Sequence, residues 1–118
     1  MAKTILIVDD DPHILDTARD ILEDAGYTVY VEGNGAAALK KLKSSPADLA
    51  LFDFNLPDIQ GIDLAIEAKK KCPKMVIILM TGEADVDLGA AKEAVDSVLT
   101  KPVDPVQLIR VVRAKVDS

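Results

Sequence analysis

The sequence predicts an α/β fold in which a parallel sheet carries helices on both faces. Short, continuously apolar runs are typical of strands buried on both sides, and segments with helical periodicity lie between them. Five such strands alternate with five helices, and right-handed connections of this kind give a three-layer (βα)5 sandwich. The 118 residues, 49% of them hydrophobic, suit one core, so we expect a single domain over residues 1–118.

The central strand is predicted at residues 49–52 (LALF), which are too few for a helix and too apolar for a surface strand. Asp53 follows directly, and Pro57 and Gly61 then prevent a central strand from continuing. Asp53 should therefore lie at the carboxyl end of this strand. In open parallel sheets this edge is where ligands bind.

The first strand is predicted at residues 4–8 (TILIV), and it also ends on carboxylates, Asp9, Asp10 and Asp11. Pro12 suits the first turn of a helix that has Asp11 or Asp10 as its N-cap. Apolar residues then recur at helical spacing until Gly26, where we expect the helix to end.

The remaining elements follow the same alternation. We expect an edge strand at 28–31, helices at 36–43 and 62–71, a fourth strand at 75–80, a weaker helix at 84–94 interrupted by Gly89, a fifth strand at 98–99, and a last helix beginning at Asp104 and Pro105. The last helix carries an apolar excess, which is compatible with ordinary core or with a homodimer.

Composition excludes several classes of function. A net charge of -6 argues against direct nucleic-acid binding, which requires a basic surface. Neither a membrane-spanning run nor a signal peptide is present, so we expect a cytoplasmic protein without a membrane partner. The single Cys72 has no partner for a disulfide or a metal site, and His13 is expected to be solvated.

Polar residues end four of the predicted strands, and the topology brings those ends to one edge. They are Asp9, Asp10, Asp53, Thr81 and Lys101. Clustered carboxylates without His or Cys favour magnesium, or manganese in its place, and such an ion leaves a position for a phosphoryl oxygen. A carboxylate can attack phosphorus, which makes the central Asp53 the expected nucleophile, with Thr81 and Lys101 contacting the transferred group.

Four stretches at the right strand ends together resemble the receiver domain of bacterial two-component response regulators. They are residues 5–12 (ILIVDDDP), 52–58 (FDFNLPD) with Gly61, 80–82 (MTG) and 99–102 (LTKP). The resemblance covers essentially the whole chain. It implies a flavodoxin-like fold with strand order 2-1-3-4-5, and a switch that accepts a phosphoryl group from a sensor histidine kinase or a histidine phosphotransfer protein.

The resemblance also implies individual roles. Asp53 is the phosphoacceptor, Asp10 is the main carboxylate ligand of magnesium and Asp9 acts nearby through water. The backbone carbonyl of Asn55 completes the protein ligands, while Thr81 and Lys101 contact the phosphoryl group. The peptide bond between Lys101 and Pro102 is expected to be cis.

Two features depart from the family pattern. Val98 occupies the position, three residues before Lys101, where receivers usually carry an aromatic ring or His that moves inward on activation. The stretch 82–100 is slightly short and lacks the usual glycine before the fifth strand. Both departures fall on the face through which many relatives signal.

Three alternatives remain open. A magnesium-dependent phosphohydrolase would usually carry a second carboxylate two residues after the nucleophile, where this chain has Asn55. A nucleotide or flavin binder would need a glycine-rich rather than an acidic first turn. A receiver-like interaction module that works without phosphorylation is compatible with Val98.

Overall fold

The computed structural model of the protein describes residues 2–83 and 85–116. The strands are β1 (Thr4–Val8), β2 (Thr28–Glu32), β3 (Leu49–Asp53), β4 (Val76–Thr81) and β5 (Ser97–Thr100). The helices are α1 (Pro12–Asp24), α2 (Gly35–Ser44), α3 (Gly61–Lys71) and α4 (Pro105–Val116), and a 3-10 turn (Gly89–Ala91) precedes β5.

All five strands are parallel and form one sheet of order β2-β1-β3-β4-β5. This confirms the predicted fold class and strand order. The central strand β3 is buried along its whole length, as its apolar sequence indicates. Val8 pairs with Phe52, so the residues that follow them, Asp9 and Asp53, leave adjacent strands side by side.

Alternate residues of each inner strand pack into two separate core layers. Leu6, Phe52 and Leu79 face the layer formed with α2 and α3. Ile7 and Leu51 face the opposite layer, which α1 and α4 cover. The continuous apolar runs of the sequence therefore serve both faces of the sheet, and they hold the polar strand ends in a fixed relation to one another.

The helix expected at 84–94 is not found among the described residues of that segment, and that prediction was wrong. Residues 85–94 contain a 3-10 turn and no α-helix, and Gly89 has a φ of +52°, a left-handed conformation through which an α-helix cannot run. Ala91, Ala94 and Val95 are nonetheless buried against the core. The alanine-rich composition thus reflects close packing rather than helix formation; Ala84 lies outside the described residues.

Element ends are otherwise close to the predicted ones. The N-cap of α1 is Asp11, whose side chain accepts a hydrogen bond from the His13 backbone N–H at 2.9 Å. Asp53 and Thr81 are the last residues of β3 and β4, one position later than expected. Within the described part of the chain, no helix has the length and apolarity needed to cross a membrane.

Candidate functional site

The carboxyl edge of the sheet gathers the carboxylates of Asp9, Asp10 and Asp53. One oxygen from each lies within 4.8 Å of the others. Asp9 is 1% exposed and Asp53 is 8% exposed, whereas Asp10 faces solvent. The site is therefore a pocket with a buried floor and one open side.

Lys101 joins the two buried carboxylates. Its Nζ lies 2.8 Å from Oδ2 of Asp9 and 2.9 Å from Oδ1 of Asp53. Lys101 follows β5 directly, and its backbone N–H donates to the carbonyl of Thr81 at 2.7 Å, which holds it at the sheet edge. The Lys101–Pro102 peptide bond is cis, as expected.

Burial raises the pKa of Asp53, and the negative charges of Asp9 and Asp10 act in the same direction. The hydrogen bond from Lys101 opposes this change without cancelling it. Burial alone would lower the pKa of Lys101, but its hydrogen bonds to Asp9 and Asp53 outweigh that effect and raise it. The pocket therefore holds a charged lysine and a central carboxylate whose ionised form a further cation would stabilise.

These residues fit a magnesium ion. All the donors are carboxylate oxygens, which hard divalent cations prefer, and the carboxylates repel one another unless a cation offsets them. The exposed side at Asp10 leaves room for the waters that magnesium retains. Asn55, the remaining ligand expected from the family, lies in the turn after Asp53 and forms an antiparallel bridge with Gln60.

The turn after β3 closes tightly on the strand. The Phe54 N–H donates to the Met80 carbonyl at 2.8 Å, and the Gly61 N–H donates to the Phe54 carbonyl at 2.7 Å. A Cβ at Gly61 would collide with the Asp53 carbonyl oxygen and would lie 2.9 Å from Cα of Phe54. Only glycine lets α3 begin this close to the central strand end.

Thr81 lies on the same edge and is 3% exposed. Its Oγ1 accepts a hydrogen bond from the Glu83 backbone N–H at 3.2 Å. Val98 is half-buried, pairs with Leu79 in the sheet and packs against the α2/α3 core layer. Thr81 therefore lies at the carboxyl edge with Asp53, and Val98 lies two residues further into the sheet, since Thr100 is the β5 partner of Thr81.

Two other residues were considered from sequence, and one of them, His13, lines a cavity together with Lys101. His13 is exposed in the first turn of α1, and Cys72 is a half-buried free thiol at the end of α3. Sequence reasoning missed Asp58, whose carboxylate contacts the start of α2. No local pattern could have revealed this contact, because the partners are 23 and 22 residues apart.

The fold and the pocket together define a flavodoxin-like α/β protein with an acidic, lysine-bridged site at its carboxyl edge. Residues 5–113 match the response regulator receiver domain, and the chain belongs to that family. The family resemblance found in the sequence is thereby confirmed. The protein is therefore a receiver domain of the kind that response regulators of two-component systems carry.

Individual relatives agree with this assignment. The chain is 35% identical over 117 residues to the DNA-binding response regulator MtrA of Mycolicibacterium smegmatis, covering 98% of the chain and 51% of that protein. It is 34% identical over 102 residues to the transcriptional regulatory protein GlrR of Escherichia coli, covering 85% and 23%. The chain thus spans about half the length of the first relative and about a quarter of the second.

Solved structures show the same fold. A CheY-like response regulator receiver domain protein from Methanospirillum hungatei superposes with a TM-score of 0.93 at 39% identity, covering 99% of this chain and 95% of that one. The chemotaxis response regulator CheY4 of Vibrio cholerae gives a TM-score of 0.89 at 24% identity, covering 97% and 98%, and supports the fold alone.

Proposed function

We propose that Asp53 is the phosphoacceptor of this receiver domain, in a magnesium-dependent reaction with a phosphohistidine donor. The observation that carries the proposal is the pair of contacts from Lys101 to Asp9 and Asp53, which orients the central carboxylate at the open edge. The donor would be a sensor histidine kinase or a histidine phosphotransfer protein, because receiver domains accept their phosphoryl group from such partners.

In the reaction, a carboxylate oxygen of Asp53 attacks phosphorus as the phosphorus–nitrogen bond of the donor breaks, and an acyl phosphate forms. Asp9, Asp10, Asp53 and the Asn55 carbonyl would hold magnesium, or manganese in its place. When bound, the ion would neutralise negative charge on the phosphoryl oxygens. The Lys101 ammonium, already at hydrogen-bond distance from Asp53, supplies a second positive charge.

The conformational change would begin at Thr81, whose hydroxyl would contact the phosphoryl group. Its Oγ1 only accepts from the Glu83 N–H, so the hydroxyl proton is available to donate to a phosphoryl oxygen. Val98 has no ring to move between exposed and buried positions, so the conformational response must use the backbone of the segment before β5 or another face. The output partner remains a prediction, as do a cytoplasmic location, a homodimer and the absence of direct nucleic-acid binding.

Intact mass measurement after incubation with a small-molecule phosphodonor tests the proposal. We expect a single phosphoryl adduct that requires magnesium in the wild type and is lost in Asp53→Asn. Asp20→Asn, an exposed change on α1, is the matched control and should keep the adduct. A stable adduct on Asp53→Asn would exclude Asp53 as the phosphoacceptor.

A second candidate is a receiver-like interaction module that works without phosphorylation. Val98 favours it, as does the lack of an α-helix among the described residues between β4 and β5, because both alter the usual response face. Complete absence of an adduct in folded wild-type protein, with magnesium present, would support this candidate against the first.

A further inference from the structure

The turn after the phosphoacceptor is tied to a distant helix by Asp58. Its Oδ1 accepts a hydrogen bond from the Gly35 N–H at 2.8 Å, and its Oδ2 accepts one from the Ala36 N–H at 2.9 Å. These are the first two residues of α2. One carboxylate therefore satisfies two N–H groups that a helix leaves without internal partners.

Close packing surrounds the contact between Asp58 and α2. Gly35 is buried, and a Cβ there would collide with Cγ2 of Ile59 and lie 3.4 Å from Oδ1 of Asp58. The hydrogen bonds from Gly35 and Ala36 lower the pKa of Asp58, so its carboxylate is charged at neutral pH. A negative charge is favourable at the positive end of the helix dipole.

The two ends of the same turn are fixed at the sheet. Asp53 closes β3, and the Gly61 N–H returns to the Phe54 carbonyl. Asn55 and Gln60 face each other across the turn in an antiparallel bridge. Asp58 lies between these two bridged residues, so its bonds to α2 restrain the end of the turn that projects from the sheet.

We propose that Asp58 is a positioning residue of the metal site, which acts by clamping the turn that carries the Asn55 carbonyl against α2. The inference rests on the proposed function, because Asn55 is a ligand only if the pocket binds magnesium. The clamp sets where the Asn55 carbonyl stands relative to Asp53. Without the hydrogen bonds from Asp58 to α2 the turn can move. The Asn55 carbonyl would then spend part of its time away from the position in which it would bind magnesium.

Substitutions of the two side chains that cap α2, Asp58 and Asn34, separate this role from ordinary helix capping. Asp58→Ala removes both hydrogen bonds to the helix and frees the turn. Asn34→Ala removes the other cap of α2, in which the Asn34 Oδ1 accepts from the Ala37 N–H at 2.8 Å, but leaves the turn clamped. Asp58→Asn keeps one acceptor oxygen and serves as the partial rescue.

Magnesium affinity, measured on the full chain by calorimetric titration, is the main readout. We expect Asp58→Ala to raise the magnesium Kd about tenfold, the lower end of the range for groups that orient metal ligands. Asn34→Ala should stay within about twofold of wild type, and Asp58→Asn should fall between. Amide NMR shifts of Gly35 and Ala36 should change in Asp58→Ala, reporting the loss of the clamp.

Phosphoryl transfer supplies the second readout. The rate of adduct formation in Asp58→Ala should approach the wild-type rate at saturating magnesium, because the substitution leaves Asp53 and Lys101 in place. Equal magnesium Kd values for Asp58→Ala and wild type would overturn the inference and leave the proposed function standing. Absence of magnesium binding by the wild type would overturn the magnesium step of the proposed function, and the inference with it.

Discussion

The two halves of the carboxyl edge of the sheet differ in how closely they match what the sequence predicts. In the half formed by β1, β3 and the turn after Asp53, the three carboxylates that the sequence predicts to cluster lie together, and Lys101 contacts two of them from the end of β5. In the connection from β4 to β5, the expected helix is replaced by a 3-10 turn and Val98 stands where a ring is usual. The difference teaches that the parts proposed to accept a phosphoryl group and the parts proposed to report it are constrained separately.

The largest expected effect comes from a methyl group added in the first half. Gly61→Ala should lower the free energy of unfolding by about 3 kcal/mol, because its Cβ would collide with backbone atoms of Asp53 and Phe54 that cannot move without disturbing β3. Urea denaturation measures this loss, and the m-value should equal that of the wild type.

The matched change in the other half is Gly82→Ala, where a Cβ meets nothing within 4 Å. It should alter stability by less than about 1 kcal/mol, in the stabilising direction. Equal losses at Gly61 and Gly82 would break the comparison, since the two halves would then be equally tight.

Much of the sheet and of its carboxyl edge could be predicted from the sequence. Apolar runs that end on Asp9, Asp53 and Thr81 define both the sheet and its functional edge, because parallel strands bring their carboxyl ends together. The double contact of Lys101 could not be predicted, since it depends on how the residue after β5 turns back over the edge. The contact of Asp58 with α2 could not be predicted either, because it joins a turn to the start of a helix 22 and 23 residues away in sequence.

The second prediction concerns the cation between the carboxylates. Lys101→Met should cost about 2 kcal/mol without magnesium, below the 3–5 kcal/mol typical of a broken buried pair because the lysine side chain is 23% exposed. Magnesium should raise the melting temperature more in this variant than in the wild type, since the ion replaces the lost positive charge at Asp9 and Asp53. Lys70→Met, which removes an exposed pair with Glu67, should change stability by less than about 0.5 kcal/mol. A magnesium effect no larger in Lys101→Met than in Lys70→Met would contradict this account.

The third prediction follows from the raised pKa of Asp53. Its folded-state pKa lies above the unfolded value of 3.8, so the folded protein binds the proton more tightly and loses stability as pH rises through this window. Asp53→Asn should therefore be more stable than wild type at pH 7 without magnesium, by about 1 kcal/mol after screening by water at the open edge. Thermal melts should show this advantage disappearing below about pH 3.8. A constant advantage at every pH would mean that the charge of Asp53 is not its source.

The segment before β5 shows why local composition misleads. Its alanines have high helix propensity, but propensity is a weak guide where a short connection must bury Ala91, Ala94 and Val95 against the sheet and α3. Gly89 supplies the left-handed conformation that this packing uses. Tertiary packing therefore overrides the helical preference in the half of the edge that also carries Val98.

Gly89→Ala tests this through the sign of its effect on stability. In a helix, replacing glycine by alanine would raise stability by about 1 kcal/mol, whereas at a φ of +52° it should lower stability by about the same amount. Gly89→Asn should lose less, because asparagine tolerates the left-handed region, and Gly33→Ala, with open space around its Cβ, should be nearly neutral. Urea denaturation gives the sign of the stability change, and a Gly89→Ala variant more stable than wild type would support the α-helix that the sequence predicts for this segment.

The yield of phosphoryl adduct should stay at the wild-type level in Gly89→Ala, because the substitution lies outside the half of the edge that carries the carboxylates. Loss of the adduct would show that the two halves are coupled.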